Sequence, residues 1–192
     1  MVKRIAKYPI DPLFINRWSP RAMSGAPITD AQLMSLFEAA RWAPSSYNNQ
    51  PWRFIYAKRD TVHWDKLFKL LVSTNQIWAQ RAAALVLIVS HNNFEHNNKP
   101  ARTHSFDTGA AMENFALQGS ISGLVVHGME GFDYDRARKE FAIPADYTIE
   151  AMFAVGMRAD KSVLPEFLQE REEPSDRKPL NAIVFEGTFK GA

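Results

Sequence analysis

The sequence predicts a single domain of the α+β or α/β class, built around one sheet. Two observations lead to this prediction: helix and strand patterns alternate along the chain, and no repeat or flexible linker divides it. The length of 192 residues suits one domain, and a hydrophobic fraction of 46% is enough to bury a core. Residues 1–192 are therefore expected to fold as one unit.

The first half of the chain contains two predicted helices and a predicted strand. Thr29 and Gln32 match a capping box, in which each side chain hydrogen bonds the backbone of the other residue, so a helix should begin there. Pro44 should end this helix, because the residue before a proline avoids the α conformation. Aromatic and branched residues predict a strand over Trp52–Ala57, and apolar residues at helical spacing predict a helix over about Val62–Ser73.

The middle of the chain is predicted to supply the buried elements. The continuous apolar run Ala84–Ser90 has the length of a buried strand, whereas the polar segment His91–His104 predicts an exposed loop or a short helix. A long helix is expected over Phe106–Leu124. Its several glycines and alanines suit close approach by another backbone or a flat ligand, or simply tight packing at the centre of the fold. Val125–Met129 follows as a predicted strand.

The last third of the chain is less regular. Asp133 should cap a short helix, and the alternation of apolar and polar residues over Thr148–Met157 predicts a strand. From Lys161 onward the chain is rich in proline and charge, except for the strand-like piece Ala182–Glu186. The opening of the chain, through Pro12, is predicted to be irregular.

The composition excludes several functions. There are 23 basic and 21 acidic residues, and a net charge of +2 gives no strong electrostatic footprint for nucleic acid. Because there is no cysteine, disulfides, thiolate nucleophiles, iron–sulfur clusters and cysteine-ligated zinc are excluded, and redox chemistry would need a bound cofactor. No apolar run is long enough to span a membrane and no signal-peptide pattern opens the chain, so we expect a cytoplasmic protein.

Three separated segments place polar donors beside aromatic or small residues. Arg17-Trp18-Ser19-Pro20-Arg21 holds two guanidinium groups and a hydroxyl, which suit a phosphate but also occur on solvated surfaces. Pro44–Trp52 gathers serines and asparagines between two prolines, either along the polar edge of a heterocycle or as an ordinary turn. Gly128–Phe132 either lets the backbone approach a ligand closely or forms a tight loop.

Taken together, the motifs resemble those of the nitroreductase family of FMN enzymes. Their order and spacing agree with that family from about Ile15 to Val184, which is nearly the whole chain. The motifs that carry the resemblance are Arg17-x-Ser19-x-Arg21, Pro44-Ser45-Ser46-x-Asn48-x-Gln50-Pro51-Trp52, Glu130-Gly131-Phe132 and Arg177-Lys178-Pro179-Leu180. The proline-bracketed box is the most specific of the four.

The resemblance implies an α+β fold, with a central, mostly antiparallel sheet flanked by helices, in an intertwined homodimer. Two FMN molecules would bind at the interface, so that both copies contribute to each active site. The helix Phe106–Leu124 would form the core of the dimer, and the extension from about residue 161 to residue 192 would wrap the partner subunit.

The resemblance also implies which residues bind FMN. Arg17, Ser19 and Arg21, with Trp18 in the same segment, would hold the phosphate, the ribityl chain and the pyrimidine edge, and Arg177 and Lys178 would complete the phosphate site. Pro44, Ser45, Ser46 and Asn48 would reach the flavin from the other subunit. Asn75 would face the ring, and Met129, Glu130 and Gly131 would lie beside its reactive nitrogen.

The implied reaction is hydride transfer from NADH or NADPH to a small electron-poor acceptor, such as a nitroaromatic, quinone, flavin or enone, by ping-pong turnover. No side-chain acid or base is required, so no catalytic residue is predicted. The chain also lacks a G-x-G-x-x-G motif after a strand, which argues against a separate dinucleotide-binding domain.

Two other classes of function stay open at this point. The protein could hold FMN without turnover, as a carrier or sensor. A zinc hydrolase is the other alternative, because His91, His96 and His104 lie in one polar region. Their spacing, however, matches no common set of zinc ligands, and no metal site is predicted.

Overall fold

The computed structural model describes residues 4–190, and its centre is a four-stranded sheet. The strands lie in the order β1-β2-β4-β3, and each neighbouring pair is antiparallel. Their bounds are β1 Trp52–Lys58, β2 Ala84–His91, β3 Leu124–Met129 and β4 Tyr147–Met157. The α+β class and the antiparallel central sheet predicted from the sequence are confirmed.

Seven α-helices connect and cover the strands within residues 4–190. They are α1 Pro12–Asn16, α2 Asp30–Arg41, α3 Trp64–Phe68, α4 Ser73–Ala79, α5 His104–Ile121, α6 Tyr134–Glu140 and α7 Glu166–Gln169. Short 3-10 turns occur at Ser46–Asn48, Lys161–Val163 and Leu180–Ala182. None of the helices in this described range is long and apolar enough to cross a membrane.

The helices form one layer on each face of the sheet, so the central strands are buried on both sides. Val86 and Ile88 of β2 pack with α2 and α5, and Phe115 of α5 belongs to the same cluster. Leu85 and Leu87 point to the opposite face, where they pack with α3, α4 and α6. This two-sided burial explains why β2 appears in the sequence as a continuous apolar run.

The capping signals predicted from the sequence are present. The Gln32 amide donates to Thr29 Oγ1 at 3.1 Å, and the Thr29 amide donates to Gln32 Oε1 at 2.9 Å. Asp133 caps α6 by accepting a hydrogen bond from the Arg136 amide at 2.9 Å. At the end of α5, Gly123 has φ +70, a left-handed conformation that favours glycine and terminates the helix before β3.

The predicted helix over Val62–Ser73 is wrong, because two shorter helices replace it. Leu71 forms a β-bridge with Phe132, and the Val72 amide donates to Gly131 O at 3.1 Å. These long-range backbone bonds interrupt α3, and α4 then starts at Ser73. The local apolar pattern could not reveal a pairing partner about sixty residues away along the chain.

Two further expectations differ from the structure at the ends of the chain. Residues 4–11 are irregular as predicted, but an unpredicted helix, α1, begins at Pro12, with Asp11 accepting a hydrogen bond from the Leu13 amide at 2.8 Å. This Asp-Pro start is a helix signal that the sequence does contain. Ala182–Glu186 forms no strand: a 3-10 turn covers Leu180–Ala182, and Ile183 and Val184 after it stay exposed.

Candidate functional site

Arg17 and Ser19 line a cavity of about 310 Å³ between the end of α1, helix α5 and strand β3. Arg17 Nε lies 3.3 Å from Glu113 Oε1, and only 17% of the Arg17 side chain is exposed. Gly128 of β3 lines the same cavity, where its missing side chain leaves the backbone accessible. The cavity thus joins a guanidinium, a hydroxyl and an open backbone edge.

Arg4 and Arg177, with Lys178, line a second and larger groove, and Arg4 connects this groove to Arg17. Arg4 donates to Ile15 O at 2.9 Å, to Arg17 O at 3.0 Å and to Ser175 O at 2.8 Å, which ties the C-terminal segment to α1. Burial, followed by the charges of Arg177 and Arg17, lowers the pKa of Arg4 below its usual value. The charges of Arg17 and Arg177 thus act on Arg4, and guanidinium groups are suited to a phosphate. Sequence reasoning did not identify Arg4, because no local motif marks it.

Arg21, at the other end of the first motif, lies in a segment held by buried groups. His127 Nδ1 donates to Pro20 O at 3.0 Å, and its ring centroid is 4.5 Å from that of Trp78. Burial lowers the pKa of His127 to about 4, and the charge of Arg21 acts in the same direction, against hydrogen bonds to the backbone. His127 is therefore neutral at pH 7, so it adds no positive charge beside Arg21.

The amide of Asn75 and the backbone of Gly131 lie together at the end of β3. Asn75 Nδ2 donates to Gly131 O at 3.0 Å. A Cβ at position 131 would lie 2.9 Å from Asn75 Nδ2 and 3.0 Å from a methyl carbon of Val72, so a side chain here would displace Asn75. Met129 is buried, whereas Glu130 is exposed at the tip of the turn. The Glu130-Gly131-Phe132 motif and Asn75 are thus brought together by the pairing of Leu71 with Phe132.

The proline-bracketed box forms an exposed loop that is bonded to the start of α5. The Ser46 amide donates to Asp107 Oδ2 at 2.9 Å, and Ser45 Oγ accepts from the Gln50 amide at 3.0 Å. Asn48 has φ 52 and is exposed, and Pro44 is exposed as well. Tyr47 and Gln50 also have positive φ, at 52 and 48, in a region that asparagine tolerates but most other side chains disfavour.

The fold of one chain does not bring the box to the arginine cavity. The box is bonded to Asp107, and no residue of the box is among the described residues that line the cavity. Among the described residues, Arg17 and Ser19 are the predicted site residues that line the cavity, and the other predicted residues lie elsewhere. Trp18 packs under Arg158, with 5.0 Å from guanidinium to ring, and Lys178 lines a larger groove of about 640 Å³ beside Arg177.

The histidines considered as zinc ligands have other neighbours. His91 Nε2 lies 3.2 Å from Asp146 Oδ2, and His104 Nδ1 lies 2.7 Å from the hydroxyl oxygen of Ser90. Across residues 4–190, no group of three or more histidine, aspartate or glutamate side chains has the geometry of a metal site. Nothing in this part of the chain favours the hydrolase alternative.

Comparison with known proteins identifies the family. The model of the nitroreductase family matches residues 15–87 and 71–157, which together cover most of the chain. A crystal structure described as an oxidoreductase containing FMN is 43% identical, with a TM-score of 0.94 and full coverage of both chains. An NADH dehydrogenase of Thermus thermophilus is 25% identical, over 89% of this chain and 92% of its own.

A more distant structure has the same fold. A nitroreductase family protein from Clostridium difficile 630 has a TM-score of 0.72 and 22% identity, and the match covers 95% of this chain and all of the other. The resemblance drawn from the four sequence motifs and the expected oxidoreductase class are therefore confirmed. The chain belongs to the nitroreductase family.

Proposed function

We propose that this protein is an FMN-dependent oxidoreductase that transfers hydride from NADH or NADPH to a small electron-poor acceptor. The observation that carries the proposal is the hydrogen bond of 3.0 Å from Arg4 to Arg17 O, which connects the cavity lined by Arg17 and Ser19 to the groove lined by Arg4, Arg177 and Lys178. Bound FMN would supply the hydride chemistry, and the protein would supply its position and its electrostatic environment. The 43% identical relative is described as containing FMN, which supports this choice of cofactor.

The donor set fits the parts of FMN. Arg17 and Arg177 would bind the phosphate, because guanidinium groups match phosphate oxygens, and Lys178 would add charge from the adjoining groove. Arg21 would face the pyrimidine edge, where its positive charge favours a negatively charged ring. Ser19 would donate to the ribityl chain from the same segment.

The end of β3 would bind the ring. Asn75 packs directly against Gly131 and is held there by a hydrogen bond of 3.0 Å. Met129 and Glu130 would contribute backbone groups at the same turn. No step in this proposal requires a side-chain acid or base.

We further propose that the protein is a homodimer with shared sites. Phe106 and Ile121 of α5 are 80% and 65% exposed, and Phe189 of the C-terminal segment is 79% exposed. Apolar side chains at these exposures are suited to an interface. Ser45, Ser46 and Asn48 of one copy, with Pro44, would then reach the flavin held by the arginines of the other. The cytoplasmic location expected from the sequence stays a prediction.

The central test is flavin binding and reduction by the purified protein. We expect a yellow protein whose visible absorbance is bleached by NADH or NADPH without oxygen and restored by an acceptor. Arg17→Ala should weaken binding of FMN much more than binding of riboflavin, which lacks the phosphate. Arg41→Ala, on the exposed end of α2, is the matched control and should bind both flavins as the wild type does.

Each result has a distinct meaning. A colourless protein that binds no added FMN refutes the cofactor. A yellow protein that neither pyridine nucleotide bleaches is a carrier or sensor, and the oxidoreductase proposal is then wrong. A panel of nitroaromatic, quinone, flavin and enone acceptors identifies the acceptor class.

Shared sites are tested by subunit complementation. Arg17→Ala and the double variant Ser46→Ala/Asn48→Ala are co-expressed with different tags, and the mixed dimers are isolated by two affinity steps. If each site combines residues of both copies, the mixed dimer contains one intact site and regains about half of the wild-type flavin content. No recovery above either parent would contradict a shared site.

A further inference from the structure

Glu172 is a buried carboxylate that contacts the segment around Arg21. It lies three residues beyond the end of α7 and is 8% exposed. Its Oε1 atom accepts two hydrogen bonds, from the Arg21 amide and from the Ala22 amide, each at 2.7 Å. The carboxylate thus connects the C-terminal segment to the first motif, across about 150 residues of sequence.

Such a contact requires a reason, because burying a carboxylate costs free energy unless hydrogen bonds compensate. The two amides provide charge-assisted hydrogen bonds to Oε1, which are stronger than bonds between neutral groups. Oε2 has no hydrogen-bond partner among residues 4–190. The interactions of this buried charge are therefore concentrated on the backbone of two residues.

Both flanks of Arg21 are also fixed to the sheet. On one side, Pro20 O accepts a hydrogen bond from His127 at 3.0 Å. On the other side, Ala22 O accepts a hydrogen bond from the Ala159 amide at 3.0 Å, just beyond β4. With both amides and both flanking carbonyls bonded, the direction in which the Arg21 side chain leaves the backbone is set.

We propose that Glu172 is a positioning residue of the flavin site, which aims Arg21 by fixing the backbone amides of Arg21 and Ala22. This inference rests on the proposed function, because it assigns Arg21 to the flavin. Glu172 would act through Arg21 and not on the cofactor itself. Replacing Glu172 should therefore change the midpoint potential of the bound flavin, and this change should vanish when Arg21 is absent.

The first measurement needs no flavin. In the protein without added cofactor, Glu172→Ala should speed hydrogen exchange at the Arg21 and Ala22 amides by about tenfold or more, the effect of losing a hydrogen bond to a charged group. Glu172→Asp keeps the charge but is one methylene too short to reach both amides, so it should show the same change and guards against a folding defect in the alanine variant. Glu170→Ala, at an exposed position two residues away, is the control and should exchange like the wild type.

The second measurement is the midpoint potential of bound FMN. Removing the Arg21 charge should lower the potential, and Glu172→Ala should shift it in the same direction. The double variant Arg21→Ala/Glu172→Ala should match Arg21→Ala alone, because the two residues act as one unit. A purely structural role would instead lower flavin retention and thermal stability without moving the potential.

The outcomes separate the two proposals. If the wild type binds FMN but Glu172→Ala changes neither amide exchange nor the potential, the positioning role is wrong and the proposed function stands. If the double variant shifts the midpoint potential by the sum of the two single-variant shifts, Glu172 does not act through Arg21 and the inference is wrong. If the wild type binds no FMN, the proposed function fails, and the inference fails with it.

Discussion

The histidine beside the first motif makes stability depend on pH in a defined way. Burial lowers the pKa of His127 to about 4 in the folded protein, from an ordinary value of 6.5. The folded state therefore resists protonation, whereas the unfolded chain takes up a proton as the pH falls below about 6.5. The contribution of His127 to stability should be constant above that pH, fall between pH 6.5 and 4, and be constant again below pH 4.

The size of the effect follows from the two pKa values. At about 1.4 kcal/mol for each unit of difference, the full loss is about 3 kcal/mol, of which about 2 kcal/mol is reached at pH 5. We would measure the free energy of unfolding in urea at pH 7.5 and pH 5, at one protein concentration. His127→Gln removes the titration but keeps a donor for Pro20 O. His63→Gln, at an exposed position, is the control.

The comparison between variants isolates His127 from the carboxylates that titrate in the same range. The stability difference between wild type and His127→Gln should change by about 2 kcal/mol between the two pH values, in favour of the variant at pH 5. For His63→Gln, that difference should stay constant. An unchanged difference for His127→Gln would mean that the folded protein accepts a charged His127, and the burial argument would be refuted.

Three more predictions concern single contacts. Thr29→Ala removes the capping box of α2 and should lower the free energy of unfolding by about 1 kcal/mol in urea titrations, with flavin affinity unchanged; an unchanged stability would contradict the cap. Gly131→Ala places a Cβ 2.9 Å from Asn75 Nδ2, so it should cost about 1–3 kcal/mol of stability and weaken FMN binding in a fluorescence titration. A variant that binds FMN normally would show that Asn75 can move without consequence. Arg4→Ala frees the C-terminal segment from α1, so it should weaken the binding of FMN more than the binding of riboflavin, as measured by equilibrium dialysis. Equal losses of affinity for the two flavins would show that Arg4 does not contribute to the phosphate site.

Local signals in the sequence were sufficient wherever the cause of a structure lies within a few residues. The capping box at Thr29, the cap at Asp133 and the buried strand β2 all depend on neighbouring residues or on periodicity, and all three are present. The motif order was also sufficient to identify the nitroreductase family. The Asp-Pro start of α1 shows that one local signal was available and was missed.

Contacts between distant segments could not be predicted in the same way. The break between α3 and α4 depends on the pairing of Leu71 with Phe132, and the strand expected at Ala182–Glu186 is absent because a strand requires a partner as well as a β-forming composition. Arg4 and Glu172 carry no motif, since each is defined only by the groups that folding brings to it.

From the sequence alone came the class of fold, which follows from periodicity, and the family with the residues of its candidate site, which follow from the resemblance of the motifs. Only the tertiary structure decided which groups meet: Arg17 with Arg4, and Asn75 with Gly131. The physical reason is that a guanidinium or an amide acquires its role from the charges and hydrogen-bond partners around it, and those come from remote parts of the chain.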